Sequence, residues 1–359
     1  MRDLGRLRQP GELLGRGSPR PHRLEARGQR RALPRPGGRQ EGRSGLRTLP
    51  GRRLYHRGLQ PRGAEPARPL RPRLSRAPVI RLEAGGWQAA LLPEQGACFA
   101  SLRCDGRDVL APVPVGAAAV GSQAGAFLML PWCNRLGDGL LRWNGGEHHF
   151  PVNDLRGHNA IHGLGRDRPW ALLRRDAASL RLEQRMEEAD QPYRYHAVLD
   201  VALTEAGLRL WLAITNTSGA VMPFGTGWHP WFARRPGTRV AFRARHLVRT
   251  DARGLPVATE ETAGISGGEE SWLGQDRHYA GWDGALEFDL GETRLRLAGE
   301  GRWAGNLQLY APSAPQVLCL EPVSHATDLP NRAFLIPYGD MDWLPPGSTM
   351  EGGVALTLR

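Results

Sequence analysis

The sequence predicts an all-β fold for residues 77–359 of this chain of 359 residues. Apolar and polar side chains alternate with a period of two, as in residues 180–183 and 293–297, which is typical of strands with one solvated face. Glycine turns such as Asp105-Gly106 recur between these segments. No long segment shows the spacing of an amphipathic helix. We therefore expect a large antiparallel β-sandwich.

The predicted strands follow one another along the chain between such turns. The first alternating segment is residues 79–83. Residues 195–214 are expected to form a β-hairpin, in which the chain returns after a turn at Gly207. Near the C-terminus an apolar strand is expected to end at Glu321, because the proline that follows it has no amide hydrogen for the ladder. A large sandwich or a double sandwich accommodates these strands.

Residues 1–76 have a different composition from the rest of the chain. They hold 21 of the 48 arginines and only five acidic residues, a net charge of +16, whereas residues 77–359 carry −4. Arginine, proline and glycine make up 43 of these 76 residues, and all eleven tryptophans lie after them. Too little apolar surface remains to offset chain entropy, so we expect a disordered extension. We hypothesise that it arises from a wrongly assigned start in a GC-rich gene.

The charge distribution and the apolar content indicate which classes of binding partner the chain can have. Tyr55 is the sole aromatic residue of the extension, which therefore lacks the interleaved stacking residues of nucleic-acid-binding segments. The mildly acidic remainder gives no electrostatic reason for a nucleic-acid partner. No apolar run reaches the roughly 18 residues of a membrane-spanning helix. We expect neither a nucleic-acid nor a membrane partner, and a monomer or a homodimer.

The cysteines bear on metal binding and on the cellular compartment. Their positions show no CxxC pairing and no regular spacing, which argues against a zinc site and a disulfide framework. We therefore expect no metal site and a reducing, cytoplasmic setting. The four cysteines are Cys98, Cys104, Cys133 and Cys319.

One candidate segment for chemistry contains Arg135 and continues to His162-Gly163. The guanidinium provides a planar fork for neighbouring oxygens, and the glycine lets the backbone approach a ligand closely. A buried histidine that ties two loops together is an equally good interpretation of the same residues.

A second candidate segment places His229 between Trp228 and Trp231. Burial beside apolar rings is expected to lower the pKa of the imidazole and to keep it near working pH. An indole face is also a suitable platform for the C–H side of a sugar ring. The alternative is an aromatic core cluster in which His229 satisfies a backbone carbonyl.

The third candidate is Glu321, either a desolvated reactive carboxylate or half of a structural ion pair with an arginine. Together with His229 it would supply one acid and one base. The sequence has no nucleophile motif, no phosphate loop and no HExxH motif. Proton transfer is therefore predicted to be the whole reaction.

Taken in order, these segments resemble the aldose 1-epimerase (galactose mutarotase) family. The resemblance covers essentially all of residues 77–359 and implies a galactose mutarotase-like β-supersandwich. It also implies an isomerase that interconverts the α and β anomers of a hexose without a cofactor. The motifs that carry it are Asn134-Arg135, Asn159-x-x-His162-Gly163, His229-Pro230-Trp231-Phe232, Asp276 to Tyr279, and Leu320-Glu321-Pro322.

The resemblance also implies roles for single residues. Glu321 would act as the general base on the anomeric O1–H, and His229 would protonate the ring oxygen. The residues that would grip the sugar are Arg135, His162 and Asp276. Trp228, which departs from the family pattern, is expected to be a fourth substrate contact that reshapes the pocket.

Three other functions stay open at this point. The first is a sugar-binding protein on the same fold without turnover. The second is a hexose-phosphate mutarotase, for which Arg135 and Arg332 are candidate phosphate ligands. The third is a histidine-metal enzyme of cupin type that uses His158, His162 and His229, although no carboxylate ligand lies near in sequence.

Overall fold

The computed structural model describes residues 79–359. The extension expected for residues 1–76 lies outside the described residues, and the predicted domain boundary stays a prediction. The strands of the described part are, in chain order, β1 (Ile80–Ala84), β2 (Trp87–Leu92), β3 (Cys98–Cys104), β4 (Arg107–Asp108), β5 (Ala126–Met129), β6 (Arg135–Gly137), β7 (Leu140–Trp143), β8 (Gly146–His149), β9 (Asn159–Ile161), β10 (Ala171–Arg175), β11 (Ser179–Met186), β12 (Tyr195–Thr204), β13 (Gly207–Asn216), β14 (Met222–Phe224), β15 (Gly227–Pro230), β16 (Phe232–Ala233), β17 (Val240–Phe242), β18 (His246–Thr250), β19 (Pro256–Glu261), β20 (Ile265–Gly267), β21 (Asp276–Ala280), β22 (Ala285–Leu290), β23 (Thr293–Gly301), β24 (Asn306–Tyr310), β25 (Val317–Val323), β26 (Asp342–Leu344) and β27 (Thr349–Leu358).

Helical structure is scarce in residues 79–359. The one α-helix of this range, α1 (Ile336–Gly339), has four residues. The 3-10 turns are Pro93–Gln95, Gly165–Asp167, Glu269–Ser271 and Ala333–Leu335. None of the helices in the described range has the length and apolar content needed to cross a bilayer.

Most strands belong to two antiparallel sheets. One has twelve strands in the order β1-β2-β3-β5-β15-β25-β24-β21-β18-β19, with β4 beside β3 and β16 beside β25. The other has nine strands in the order β10-β11-β12-β13-β27-β23-β22-β17-β20. One buried apolar cluster draws side chains from both sheets, so the two sheets pack face to face. The prediction of an all-β, mutarotase-like sandwich is confirmed.

The predicted hairpin is also present. β12 and β13 are antiparallel neighbours, and Thr204 pairs with Gly207 at the turn. Leu208, Leu210 and Leu212 point into the core, which is the alternation that the sequence showed.

Tryptophans fill much of the space between the sheets. Trp303 is fully buried and its indole N–H donates to Thr226 Oγ1 at 2.9 Å. A Cβ at Gly352 would lie only 2.4 Å from the same indole, so this glycine leaves the room that the ring occupies. Trp303 therefore connects β27 of one sheet to the residues that precede β15 of the other.

One boundary expectation is wrong. The strand that contains Glu321 does not end there, because β25 continues to Val323. Pro322 lacks an amide hydrogen, but Glu321 and Val323 on either side of it remain paired with Gln308 and Asn306 of β24. A single missing donor is therefore tolerated within this ladder.

Candidate active site

The alternation of β25 presents Glu321 on the face of the twelve-stranded sheet that turns away from the main core. Leu318 and Leu320 belong to the main apolar cluster. Cys319 and Val323, which alternate with them, belong to a second, smaller cluster. Glu321 lies between these two residues and shares their face.

Strand register brings His229 next to Glu321. His229 of β15 pairs with Phe127 of β5, and Gly227 of the same strand pairs with Val323 of β25. Continuing this antiparallel register places His229 opposite Glu321. Nε2 of the imidazole lies 3.3 Å from Oε1 of the carboxyl group, and the side chains are 6% and 2% exposed.

His229 is held between two aromatic rings. The imidazole stacks on Phe127 with a centroid distance of 4.5 Å and on Trp231 with 4.9 Å. Burial, with a smaller contribution from the charge of Arg166, lowers the pKa of His229 to about 3. The prediction of a pKa near working pH is therefore wrong. The apolar rings exclude water from the imidazole almost completely, and this desolvation disfavours its charged form more strongly than expected.

The carboxyl group of Glu321 is shifted in the opposite sense. Burial raises its pKa well above the ordinary value, the charge of Asp276 raises it further, and the charge of Arg135 lowers it. Burial therefore favours the uncharged form of both members of the pair. Nδ1 of His229 and Oε2 of Glu321 have no hydrogen-bond partner among residues 79–359.

Arg135 is fixed at the far side of Glu321 by carboxylates. One of its terminal nitrogens donates to Asp276 Oδ2 at 2.9 Å, and Nε lies 3.7 Å from Asp154 Oδ2. The other oxygen of Asp276 accepts from Gln308 Nε2 at 2.6 Å. Gln308 is the β24 neighbour of Glu321, so this network fixes the charged groups beside the candidate base.

His162 borders the pair on the other side. Its ring meets that of His229 edge to face at a centroid distance of 4.9 Å, and Nδ1 lies 2.9 Å from Met129 Sδ. Burial and the neighbouring His229, Arg166 and Arg135 lower the pKa of His162 well below its ordinary value. With Nδ1 facing Met129, the neutral imidazole has Nε2 left to donate or to accept one hydrogen bond.

Gly163, which follows His162, allows its loop to pack closely against the backbone of Leu130. A Cβ on Gly163 would lie 2.0 Å from the carbonyl oxygen of Leu130, and the φ of this glycine is +74°. In the structure Gly163 thus allows a close contact between two loops of the protein, and a close approach to a ligand stays a prediction.

A cleft of about 590 Å³ opens above these residues. The predicted residues that line it are Arg135, His162, His229, Asp276 and Glu321. The structure thus brings both proposed catalytic groups and three of the four proposed sugar contacts to one cleft.

Trp228 is the predicted contact that the structure does not bring to the cleft. It is fully buried in the main core, edge to face with Phe99 and Phe232. Because successive residues of a strand point to opposite faces, Trp228 points inward where His229 points to the cleft. Trp231 is the tryptophan that lines the cleft.

Several cleft residues were not singled out from the sequence. The lining also includes Phe127, Asp154, Arg156, Arg166, Gln308 and Tyr310. One sequence signal for such a residue was present in β24, where the polar Gln308 stands between two leucines of a buried strand. The arginines gave no comparable signal, because 48 arginines occur along the chain.

His325 ties two of the site segments together. Its Nε2 accepts the backbone N–H of Cys133 at 2.9 Å, and its Nδ1 lies 2.7 Å from the carbonyl oxygen of Ala326. Burial lowers its pKa to about 4, so the neutral ring can accept at one nitrogen and donate at the other. This histidine holds the loop before Arg135 against the end of β25.

The alternative residue sets do not converge. His158 is 68% exposed and lies 3.1 Å from Asp138, so it does not join His162 and His229. Arg332 donates to Asp328 at 2.7 Å and does not line the cleft.

Three donor atoms of the described residues lie close enough together to be candidate metal ligands, and the expectation of no metal stays a prediction. Ligand atoms of His229, Cys319 and Glu321 lie within 4.8 Å of one another, and zinc accepts nitrogen, sulfur and oxygen donors of this kind. Spacing in the sequence could not reveal this arrangement, because β15 and β25 are far apart along the chain.

Comparisons with known proteins agree with the architecture. The uncharacterized protein YphB of Escherichia coli (strain K12) is 26% identical over 260 residues, which cover 67% of this chain and 86% of the relative. A solved galactose mutarotase-like protein from Clostridium acetobutylicum has a TM-score of 0.69 at 17% identity, and the match covers 78% of this chain and 95% of the other. Galactose 1-epimerase from Lactobacillus acidophilus NCFM gives 0.63 at 17% identity, over 78% and 94% of the two chains. The two solved structures show a shared fold.

A family model described as aldose 1-epimerase matches residues 78–310. This span contains Arg135, His162, His229 and Asp276 and ends before Glu321. It covers more than half of the chain. The chain therefore belongs to the aldose 1-epimerase family.

Proposed function

We propose that this protein is an aldose 1-epimerase that interconverts the α and β anomers of a hexose. The observation that carries the proposal is the buried pair of His229 and Glu321, with 3.3 Å between Nε2 and Oε1 on the floor of the cleft. Ring opening of a pyranose requires one proton acceptor and one proton donor at adjacent oxygens, and this pair supplies both.

The proposed reaction conserves atoms and electrons. Glu321 removes the proton from O1 while His229 delivers a proton to the ring oxygen, the C1–O5 bond breaks, and C1 becomes an aldehyde carbon. Rotation about C1–C2 presents the other face of the aldehyde. The reverse transfers close the ring and return both protons, so no redox partner takes part.

The position of the shared proton decides which residue is the acid. Burial favours a protonated carboxyl group on Glu321 and a neutral imidazole on His229. Arg135 opposes this by favouring the carboxylate. Transfer across the 3.3 Å contact converts one arrangement to the other, and each arrangement contains one donor and one acceptor.

The remaining cleft residues would hold the sugar. Arg135 and Asp276 form a fixed pair of donors and acceptors beside Glu321, and His162 offers a neutral imidazole beside His229. The ring of Trp231 lines the cleft and gives the apolar face of a pyranose a surface to stack on. The buried free thiols fit the cytoplasmic location that we include in this proposal.

The direct test is anomer exchange measured with purified protein. Polarimetry of freshly dissolved α-glucose and α-galactose should show relaxation faster than in buffer. Glu321→Gln and His229→Asn should each lower kcat/KM by about 10²–10⁴-fold, because each removes one proton-transfer group. Matched controls are Glu292→Gln, whose side chain is 84% exposed, and His149→Asn on the exposed hairpin strand β8.

The assay also separates the proposal from its alternatives. Full activity in both site variants would end the catalytic assignment. Binding of a sugar by calorimetry, without any acceleration of relaxation, would select the sugar-binding protein instead.

A further inference from the structure

Arg166 is a largely buried arginine of the cleft that donates no hydrogen bond to a carboxylate of residues 79–359. Arg166 follows Gly165 in a 3-10 turn, and its side chain is 12% exposed. Its Nε is buried and has no hydrogen-bond partner within the described part of the chain. The nearest carboxylate among residues 79–359, that of the half-exposed Asp167, lies 3.6 Å from Nε and makes no hydrogen bond with it. Burial accordingly lowers the pKa of Arg166.

The location of Arg166 is defined by the order of the strands. Its Cζ lies 5.5 Å from the ring centroid of Phe127 on β5. The neighbouring strands carry His229 on β15 and then Glu321 on β25, and Asp276 follows on β21 beyond β24. Arg166 therefore lies at the His229 end of the cleft and Arg135 at the opposite end.

The two ends of the cleft differ in charge balance. Arg135 has Asp276 at 2.9 Å and Asp154 at 3.7 Å, so its charge is compensated within the protein. Within the described range, Arg166 has only the half-exposed carboxylate of Asp167 within the same distance, 3.6 Å from its Nε and without a hydrogen bond to that nitrogen. The guanidinium beyond His229 is thus mostly buried, and its one carboxylate partner among residues 79–359 is half exposed to water, so its charge is less completely neutralised than that of Arg135 and can attract an anion.

The proposed chemistry fixes which part of a sugar meets this end, and the following step rests on that proposed function. With O1 at Glu321 and the ring oxygen at His229, the ring continues past His229 to C5. The substituent of C5 is C6, which is therefore directed toward Phe127 and Arg166.

We propose that Arg166 forms a subsite for an anionic group on C6, and that the preferred substrate is a hexuronic acid. One planar guanidinium matches one carboxylate through two parallel hydrogen bonds. A dianionic 6-phosphate presents the same charge sign, but it would call for a second cation at this end of the cleft.

The test compares anionic and neutral sugars of the same stereochemistry. Exchange between the two anomeric protons is measured by NMR at equilibrium for glucuronate, glucose 6-phosphate and glucose, with the rate in buffer subtracted from each. We expect kcat/KM for glucuronate to exceed that for glucose by about 10-fold or more, since a charge-assisted bidentate contact has roughly this effect. Glucose 6-phosphate as the favoured substrate would assign the subsite to phosphate and overturn the choice of a uronic acid.

Substitution identifies the residue responsible. Arg166→Gln should lower the ratio of kcat/KM for glucuronate to that for glucose by about 10–100-fold, and Arg166→Lys should restore part of it. Arg174→Gln, which removes an arginine whose side chain is 76% exposed on β10 of the other sheet, should leave the ratio unchanged. Equal effects of Arg166→Gln on both sugars would overturn the subsite.

Calorimetry tests the Arg166 subsite independently of the proposed epimerase activity. If no sugar is turned over, the epimerase assignment fails, and the subsite is still judged by whether glucuronate binds the wild-type protein more tightly than the Arg166→Gln variant. If neutral hexoses are turned over as fast as glucuronate, the epimerase assignment stands and the subsite fails.

Discussion

Glu321 and His229 are two residues whose chemistry is set by the removal of water. Each is almost fully buried, and burial disfavours the charged form of both. The pair therefore holds one proton over an unusually wide pH range. At the acid end of this range a second proton binds to His229, and at the alkaline end the remaining proton leaves Glu321. With a pKa of about 3 for His229 and a pKa of Glu321 well above its ordinary value, these two events are far apart.

This separation predicts the pH profile of anomer exchange. We expect the rate to stay level as pH falls through about 6.5, the ordinary pKa of a histidine, and to decline only toward the pKa of about 3 of His229. At high pH the rate should decline as Glu321 loses its proton. Exchange NMR between pH 4 and 9, with circular dichroism at each pH to confirm that the protein is folded, checks this. An acid limb with its midpoint near 6.5 would contradict the expected burial of the pair.

At the scale of secondary-structure elements, two features position the residues of the cleft. Period-two alternation divides β15 and β25 between the core and the cleft, so that Trp228 and His229 serve different surfaces. The loop that carries His162 depends instead on a tight approach of Gly163 to the backbone of Leu130. The backbone nitrogens of Leu164 and Gly165 both donate to the Leu130 carbonyl, at 2.7 and 3.0 Å.

Gly163→Ala tests the second of these features. The added Cβ would lie 2.0 Å from the Leu130 oxygen, at a φ of +74° that side chains rarely adopt. We expect the free energy of unfolding to fall by about 1–3 kcal/mol and kcat/KM to fall roughly 10-fold or more as His162 is displaced. Urea denaturation and the exchange assay measure the two effects.

The matched control for this change is Gly219→Ala. A Cβ at Gly219 would meet no atom within 4 Å, so neither stability nor activity should change appreciably. Wild-type behaviour of Gly163→Ala would show that the loop adjusts and that the close approach is not needed.

The whole molecule buries several neutral histidines within its sandwich. His278 lies on β21, and its Nε2 is 3.0 Å from Asn306 Oδ1 on β24. Burial lowers its pKa to about 4, below the value of about 6.5 in an unfolded chain. The unfolded state therefore binds the proton more readily, and stability is lost as pH falls from about 6.5 toward 4.

This linkage predicts how the whole fold responds to acid. Between pH 7 and pH 5 the wild-type protein should lose about 2 kcal/mol more unfolding free energy than His278→Gln, which cannot take up the proton. Urea denaturation of both proteins at the two pH values measures the difference, and the other buried ionisable groups are common to both. Equal losses would show that His278 is hydrated enough to titrate normally in the folded state.

Much of this architecture was predictable because its signals are local. Alternation predicted the strands, Gly207 predicted the hairpin turn, and the order of short motifs predicted the family. The boundary of β25 was misjudged, because a strand can continue past a proline when the residues on either side of it stay paired with the neighbouring strand. That pairing cannot be read from Pro322 itself. Trp228 was misplaced, because two tryptophans that flank one histidine look equivalent in sequence and are not equivalent on a strand.

The sequence by itself determined the all-β class, the large antiparallel sandwich and the residue types available for proton transfer, since these depend on side-chain periodicity and on motifs within a few residues. Only the tertiary structure decided that His229 lies 3.3 Å from Glu321 and that Cys319 and Gln308 neighbour the pair. It also decided that Arg135 donates to the carboxylate of Asp276, whereas Arg166, in the part of the chain that the structure describes, has only the half-exposed Asp167 at 3.6 Å. The physical reason is register. Pairing between distant strands sets which side chains become neighbours, and the burial that follows sets their pKa values.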